Sequence, residues 1–399
     1  MMKRWKKGIM LYIKPDYYNK FKCTADKCEA TCCAGWQIVI DEDSLERYEK
    51  EQSAYGEVLR DRVDWEEGVF MQDGCRRCAF LNTDNLCDIY KHLGEESLCL
   101  TCTNYPRHVE EFENLREVTL AISCPEVARI ILSRTEPVTF YEEEVEGEEE
   151  EFEDFDPFFF SYLEDSRKIL MGILQNRTLD ISVRMALVQS FAVEIQEIIE
   201  NAELFEVAEL FEKYEDESFL AKSVSEIMSQ IKAFYKDESN AYHYSKGMFG
   251  RLYELEHLSD DWETYLEQCW ELLYGRKAAG YQECHEAFKR WCSREEITIG
   301  HSGGTSAEQP DFDLNIILEQ LLVYFVFTYF CGAVYDNNVL GKVMMSLASV
   351  YNIYEMCVAK WIKQGQTLTR HDIERIVYRY SRELEHSDMN LELMEETRP

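Results

Sequence analysis

The chain lacks several features that would place it in a familiar class. No export signal is expected: MMKRWKKGIMLYIKPDYYNK starts basic, but its apolar stretch runs only from Ile9 to Ile13 before Lys14-Pro15-Asp16, too short for a signal-peptide core. The longest apolar run, Leu321 to Tyr335, contains Tyr, Thr and Gly and follows Glu319-Gln320, so it falls short of a membrane span. Positive charge is scarce. With 42 Lys and Arg against 77 Asp and Glu, the formal net charge is −35, which argues against general nucleic-acid binding. The one basic stretch is the N-terminal arm (Lys3, Arg4, Lys6, Lys7, Lys14, Lys20, Lys22), which reads as solvated or as a contact for an acidic partner. No strand is followed by G-x-G-x-x-G, so a Rossmann-type pocket is not visible.

What is present is cysteine. Ten of the fifteen fall before residue 125: Cys23, Cys28, Cys32, Cys33, Cys75, Cys78, Cys87, Cys99, Cys102 and Cys124. They open with C-x4-C-x3-CC and continue with the C-x-x-C pairs Cys75/Cys78 and Cys99/Cys102. One C-x-x-C turn can aim two sulfurs at one ion, so this spacing points to thiolate-bound metal. A disulfide framework would require an oxidising compartment, and hence export. The expected setting is therefore cytoplasmic and reduced. Neighbouring side chains diverge, so Cys32 and Cys33 imply either two sites sharing this stretch or one ligand beside a second thiol. Zinc and an iron–sulfur cluster both take thiolates, and Cys124-Pro125 is like the Cys-Pro ending of bacterial ferredoxin motifs. The three-cysteine C-x3-C-x2-C signature of radical enzymes is absent.

The organisation follows composition. Residues 142–156, EEEVEGEEEEFEDFD, are acidic at eleven of fifteen positions, as expected of a self-repelling linker or loop. The expected division is a cysteine-rich metal domain over 1–140, an acidic linker or loop over 141–157, and an α-helical domain over 158–399. The fold class is mainly α, with a few short strands near the N-terminus. Strands are expected at Trp36–Ile40 and Glu117–Ser123. Short helices are expected after Asp43 or Ser44, over Leu86–Leu93 and from Pro125. Asp180 is expected to cap a helix through Val183, Leu187, Phe191, Ile195 and Ile198, and helical periodicity also marks 158–175, 218–236, 260–274, 280–293, 312–333, 338–362 and 371–386. With little apolar material in the first part, metal would supply part of its folding energy.

Outside the cysteines, Arg379, Glu383 and His386 lie at i, i+4 and i+7 of the expected 371–386 helix, with Tyr380 beside Glu383. Glu383 or His386 could accept a proton, with Arg379 or Arg382 holding a carboxylate; the plainer reading is an exposed helix with ordinary ion pairs. Arg107, five residues past Cys102, can bind an anion or balance thiolate charge. The loop His301-Ser302-Gly303-Gly304-Thr305 lacks a P-loop lysine and reads as a connector. His285 beside Cys284, with Cys292 following, reads more simply as buried free thiols than as a metal site. His243 and His257 read as incidental.

The strings FKCTADKCEATCCAGWQIVID, GCRRCAFLNTDNLCDIYKHLGEESLCLTCTNYPR and SCPEVARIIL resemble a CxxCxxCC-type zinc/iron-chelating domain. In this order, with QLLVYFVFTYF and YSRELEHSDMN near the other end, the chain resembles the flagellin lysine-N-methylase family. The resemblance is most specific over residues 21–132, and roughly 140–310 adds little to it. It implies methyl transfer from S-adenosylmethionine to the ε-amine of flagellin lysines, with an iron–sulfur or zinc centre held by the ten N-terminal cysteines. It also lends weight to Tyr105-Pro106-Arg107 and to the YSRELEHS residues. The candidates are then Tyr380, Glu383 and His386 for catalysis and Arg107 and Arg382 for the cofactor. Lysine methylation needs a neutral amine, which a desolvating, tyrosine-rich pocket with a proton acceptor would favour. The 24 tyrosines and the acid excess suit a cationic side chain. No nucleic acid or membrane is expected as a partner. The rival readings are a zinc- or iron-bound interaction scaffold and an iron–sulfur redox protein.

Overall fold

A computed structural model describes residues 6–149, 152–293 and 310–397. The loop His301–Thr305 lies outside the described residues. The strands are β1 (Lys6–Pro15), β2 (Val63–Asp64), β3 (Val69–Phe70), β4 (Arg107–Phe112), β5 (Leu115–Leu120) and β6 (Phe140–Glu149). Four of them form one sheet in the order β4-β5-β1-β6; β1 runs parallel to β5 and antiparallel to β6, and β4 and β5 form a hairpin.

Two expectations are corrected here, and one cause explains both. Lys6, Lys7 and Lys14 of the basic arm lie in β1, and the acidic run from 142 to 149 is most of β6, not a linker or loop. The register sets Lys6 and Lys7 opposite Glu149 and Glu148, and Lys14 Nζ lies 2.6 Å from Glu143 Oε2. Like charges that repel along an isolated segment become cross-strand partners when an oppositely charged strand lies beside them. Gly147 is needed at its place, since a Cβ there would run into the Met10 side chain.

The expected strand at Trp36–Ile40 reduces to a bridge from Val39 to Val69, with Ile38 C=O accepting from Phe70 N and Ile40 N donating to Gly68 C=O. The segment therefore lies along the β2–β3 hairpin without joining a ladder. Asp41, and not Asp43 or Ser44, caps the helix Glu42–Lys50 by accepting from Ser44 N. Pro125 opens the helix Pro125–Leu132 as expected.

Past the sheet the chain is helical, and the caps explain where the helices start. Asp156, Asp180, Asp216, Asp237 and Asp313 each accept a backbone N–H at a helix start, and Thr369 and Asp372 form a reciprocal capping box. The aromatic helix Leu314–Tyr329 and the long helix Val339–Lys363 run through the centre of the large core. By length and composition, Leu314–Asp336 could cross a membrane, further than the sequence reading allowed, but 83% of its most apolar window is buried within the protein. Two apolar cores result. The small one gathers Ile38, Ile40, Tyr48, Leu59, Phe70, Phe80 and Ile89 with Cys78 and Cys99; the large one joins the β4–β5 hairpin and Pro125–Leu132 to the helices.

Candidate active site

A cavity of about 530 Å³ opens where the cysteine-rich lobe, the β4 edge and the C-terminal helices meet. β4 contributes Arg107, His108 and Glu110; the aromatic helix contributes Tyr324, Thr328 and Tyr329. The end of the helix Arg370–Glu385 contributes Glu385 and the residue beyond it, His386. Trp36 and Tyr105 close the side toward the cysteines, and Asp388, Glu392 and Glu395 rim the opposite side.

Glu385 is the best-held group. It accepts hydrogen bonds from Tyr324 Oη at 2.6 Å and Tyr329 Oη at 2.8 Å on one oxygen, and from the Ser381 hydroxyl on the other. Burial raises its pKa above the usual carboxylate value, an effect that the three hydroxyls and His108 only partly offset. Tyr324 in turn accepts from Ile122 N at 3.1 Å, which anchors it to the segment before Cys124. His108 Nε2 lies 2.7 Å from Glu110. Burial disfavours its charged form, but the Glu110 hydrogen bond and the Glu110 and Glu385 charges outweigh burial, so its pKa is raised.

His386 behaves in the opposite way. Burial, aided by Arg382, lowers its pKa to about 4, so it is neutral near pH 7. Its Nε2 lies 3.1 Å from Ser123 Oγ, which also meets Tyr105 Oη at 3.1 Å. The imidazole packs on Trp36 at 4.9 Å between centroids and edge-on to Tyr105 at 6.1 Å. Lys342 is held by Asp336 at 2.8 Å and Glu395 at 2.7 Å.

Of the sequence candidates, His386 and Arg107 line this cavity; Tyr380, Glu383 and Arg382 do not. Tyr380 is 1% exposed and donates to Ser349 in the core. Glu383 accepts from Leu258 N at 2.6 Å and Ser259 N at 3.0 Å, fixing a turn. Arg379 pairs with Asp261 and stacks over Tyr265, away from the cavity. The helix ends at Glu385 with His386 as its cap, and His386 meets Ser123 while Arg379 and Glu383 meet Asp261 and the Leu258–Ser259 turn, so the three do not converge. Arg382 donates to Ser123 C=O at 3.0 Å and Ala30 C=O at 2.6 Å, tying the cysteine loop to the helix. Arg107 is exposed, with its guanidinium over Phe21.

The cysteines sort into neighbourhoods. Cys32 meets Cys33 by a hydrogen bond and feels Cys23 and Cys124, while Cys124 feels Cys28. Cys33, Cys78, Cys87, Cys99 and Cys102 influence one another likewise. Cys75 is exposed whereas Cys78 is buried, which separates that C-x-x-C pair. Cys33, favoured as thiolate first by its Cys32 hydrogen bond, falls to about 7; Cys124 is raised to about 11 by burial. The donor chemistry fits a soft metal. Among the described residues, however, no three His, Cys, Asp or Glu side chains form a group that could hold an ion. Cys32 and Cys124 also help raise the Tyr105 phenol, after burial, so these thiols stand just behind the cavity wall.

Glu385, Tyr324, Tyr329, His108 and Glu110 escaped the sequence reading. The available signal was the pair of tyrosines interrupting an apolar helix that otherwise needs no hydroxyl, beside a conspicuous acidic cluster in YSRELEHS.

Comparison with known proteins bears on these same segments. Residues 167–398, more than half of the chain, match a family model described as the FliB lysine N-methylase C-terminal domain. Proteins named lysine-N-methylase from Salmonella choleraesuis and Salmonella typhimurium are each 26% identical over 141 residues, covering 33% of this chain and 35% of theirs. The flagellar biosynthetic protein FliU of Salmonella muenchen is 28% identical over 129 residues, 30% of this chain and 76% of that protein. The chain thus spans about a third of the length of the curated lysine-N-methylases it matches. No solved structure matches. The match over the segment that supplies Glu385, its two tyrosines and the acidic rim shows that this chain belongs to the FliB lysine N-methylase family.

Proposed function

We propose that this protein is a lysine N-methyltransferase whose active site is the cavity around Glu385, with S-adenosylmethionine as methyl donor and flagellin as substrate. The observation that carries the reading is a half-buried carboxylate fixed by two tyrosine hydroxyls inside an aromatic, acid-lined cavity. Carboxylates and aromatic faces attract an ammonium group, and removal from water lowers its pKa toward the neutral nucleophile. Glu385, with its raised pKa, is suited to take the proton from that ammonium, and His108 with Glu110 can pass it toward the rim. Trp36, Tyr105 and the neutral His386 ring offer faces for a cationic or planar donor. When bound, the donor supplies a methyl group on a sulfonium; the family names support methylation, and the flagellar name of the third relative supports the substrate.

The cysteines belong to the same proposal. Cys23, Cys28, Cys32 and Cys124 would hold one metal centre and members of the Cys33, Cys78, Cys87, Cys99 and Cys102 group a second, supplying folding energy and, if iron–sulfur, an electron-rich centre behind Tyr105.

The test is intact mass of flagellin co-expressed with the wild-type chain and with Glu385→Gln. We expect a ladder of methyl increments with the wild type and a loss of about 10²-fold or more with the variant, the scale of a general base. A full ladder from Glu385→Gln would remove Glu385 from the chemistry. No ladder from soluble, metal-loaded wild type would favour the metal-bound scaffold.

A further inference from the structure

The sheet has two outer strands, and they are finished differently. β6 carries Glu142, Glu143, Glu144 and Glu146, a charged edge of the kind that discourages pairing with another chain. β4 has no such guard along Arg107-His108-Val109, yet it borders the cavity. Its hydrogen-bond phase follows from Ala121 N donating to Pro106 C=O at 2.6 Å. In an antiparallel pair bonded residues alternate, so Pro106, His108, Glu110 and Phe112 turn their backbone groups toward β5. Arg107, Val109 and Glu111 turn theirs outward. Tyr335 Oη donates to the Glu111 C=O at 3.0 Å and closes that end. Among the described residues, nothing occupies the N–H and C=O groups of Arg107 and Val109.

We infer that this open edge is where an extended, lysine-bearing segment of the protein substrate docks, adding a short strand to β4. The inference rests on the methylase reading for the identity of the occupant, and on the strand for its placement. Side chains alternate along β4, so the same residues that stop short of the edge, His108 and Glu110, point their side chains into the cavity. A lysine on the added strand could therefore reach the cavity, where Glu385 lies. Charge agrees: Asp388 and Glu392 on the cavity lining favour a cationic segment, with Lys342 already neutralised by Asp336 and Glu395. Main-chain bonds would supply affinity without demanding one sequence, and the cavity would select the lysine.

Amide hydrogen exchange of the wild-type holoprotein, with and without saturating flagellin, reads docking directly. The expected result is at least tenfold slower exchange in the segment containing Arg107 and Val109; protection elsewhere with that segment unchanged overturns the inference. A second readout uses Val109→Pro, which removes an outward N–H while leaving the β4–β5 ladder its bonds, with Val109→Ala as a control that keeps the N–H. We expect KM for flagellin to rise on the order of tenfold in Val109→Pro alone, the effect of one lost hydrogen bond, with methylation of N-acetyl-lysine amide unchanged. Wild-type behaviour of Val109→Pro would also overturn it. If Val109→Pro does not fold, exchange in the wild type decides. If the wild type methylates neither flagellin nor the small amine, the methylase reading fails, while exchange still reports whether the edge is occupied.

Discussion

Around Phe80 the cysteine-rich lobe closes on ten buried apolar side chains, two of them cysteines; around Phe325 the helical body closes on helices buried along most of their length. The body can therefore hold itself by apolar burial, with internal charges either paired, as Arg167 with Glu117, or hydrogen-bonded, as Glu383 by Leu258 N and Ser259 N. The lobe has a much smaller core and places Cys78 and Cys99 within it. The cavity lies at the seam, taking rigid aromatic and carboxylate groups from the body and a wall, Trp36 and Tyr105, from the lobe. A catalytic surface divided this way would depend on whatever orders the lobe.

That contrast can be broken most sharply by removing metal. Chelation, or Cys32→Ser with Cys33→Ser, should leave the helical signal in circular dichroism largely intact while limited proteolysis cuts freely between residues 34 and 102. Equal resistance with and without metal would show that the small core suffices. The next largest effect is expected inside the body. Glu319 is fully buried and accepts from both Arg177 and Arg184 at 2.8 Å. Glu319→Ala strands a buried guanidinium and should cost about 3–5 kcal/mol in denaturant unfolding. A loss well under that would mean Arg184 finds another partner. The smallest effect sits at the seam. His386 is held neutral with a pKa near 4, against about 6.5 in the unfolded chain. The unfolded state therefore binds more protons between those values. Its contribution is complete above pH 6.5 and falls away as pH drops toward 4, by roughly 3 kcal/mol. Unfolding followed from pH 7 to 4 in the wild type and His386→Gln should show the wild type alone losing that increment.

The helices were legible because each carries its own period and its own cap: Asp180, Pro125 and the 371–386 pattern report local preferences. The sheet was half legible. β5 shows in EVTLAIS, β4 was not expected, and β1 and β6 each look like charged, solvated segments until the other is placed beside them. For the site, YSRELEHS contains Glu385, next to His386 and two residues from Glu383. Helical spacing placed Arg379, Glu383 and His386 on one face, but their partners differ: Asp261, the Leu258–Ser259 turn and Ser123. Tyr324 and Tyr329 were indistinguishable from core aromatics in sequence, since a hydroxyl gains its meaning from the acceptor it meets.

By itself the sequence determined the helical body, the concentration of thiols before residue 125 and the excess of acid, because these depend on residues near one another in the chain. Only the tertiary structure decided which carboxylate sits among tyrosines, that residues 142–149 of the acidic run pair with β1, and that β4 keeps an open edge beside the cavity. Those outcomes depend on distances between segments far apart in the chain, Tyr324 to Glu385 and Lys14 to Glu143 among them, and no local pattern encodes such distances.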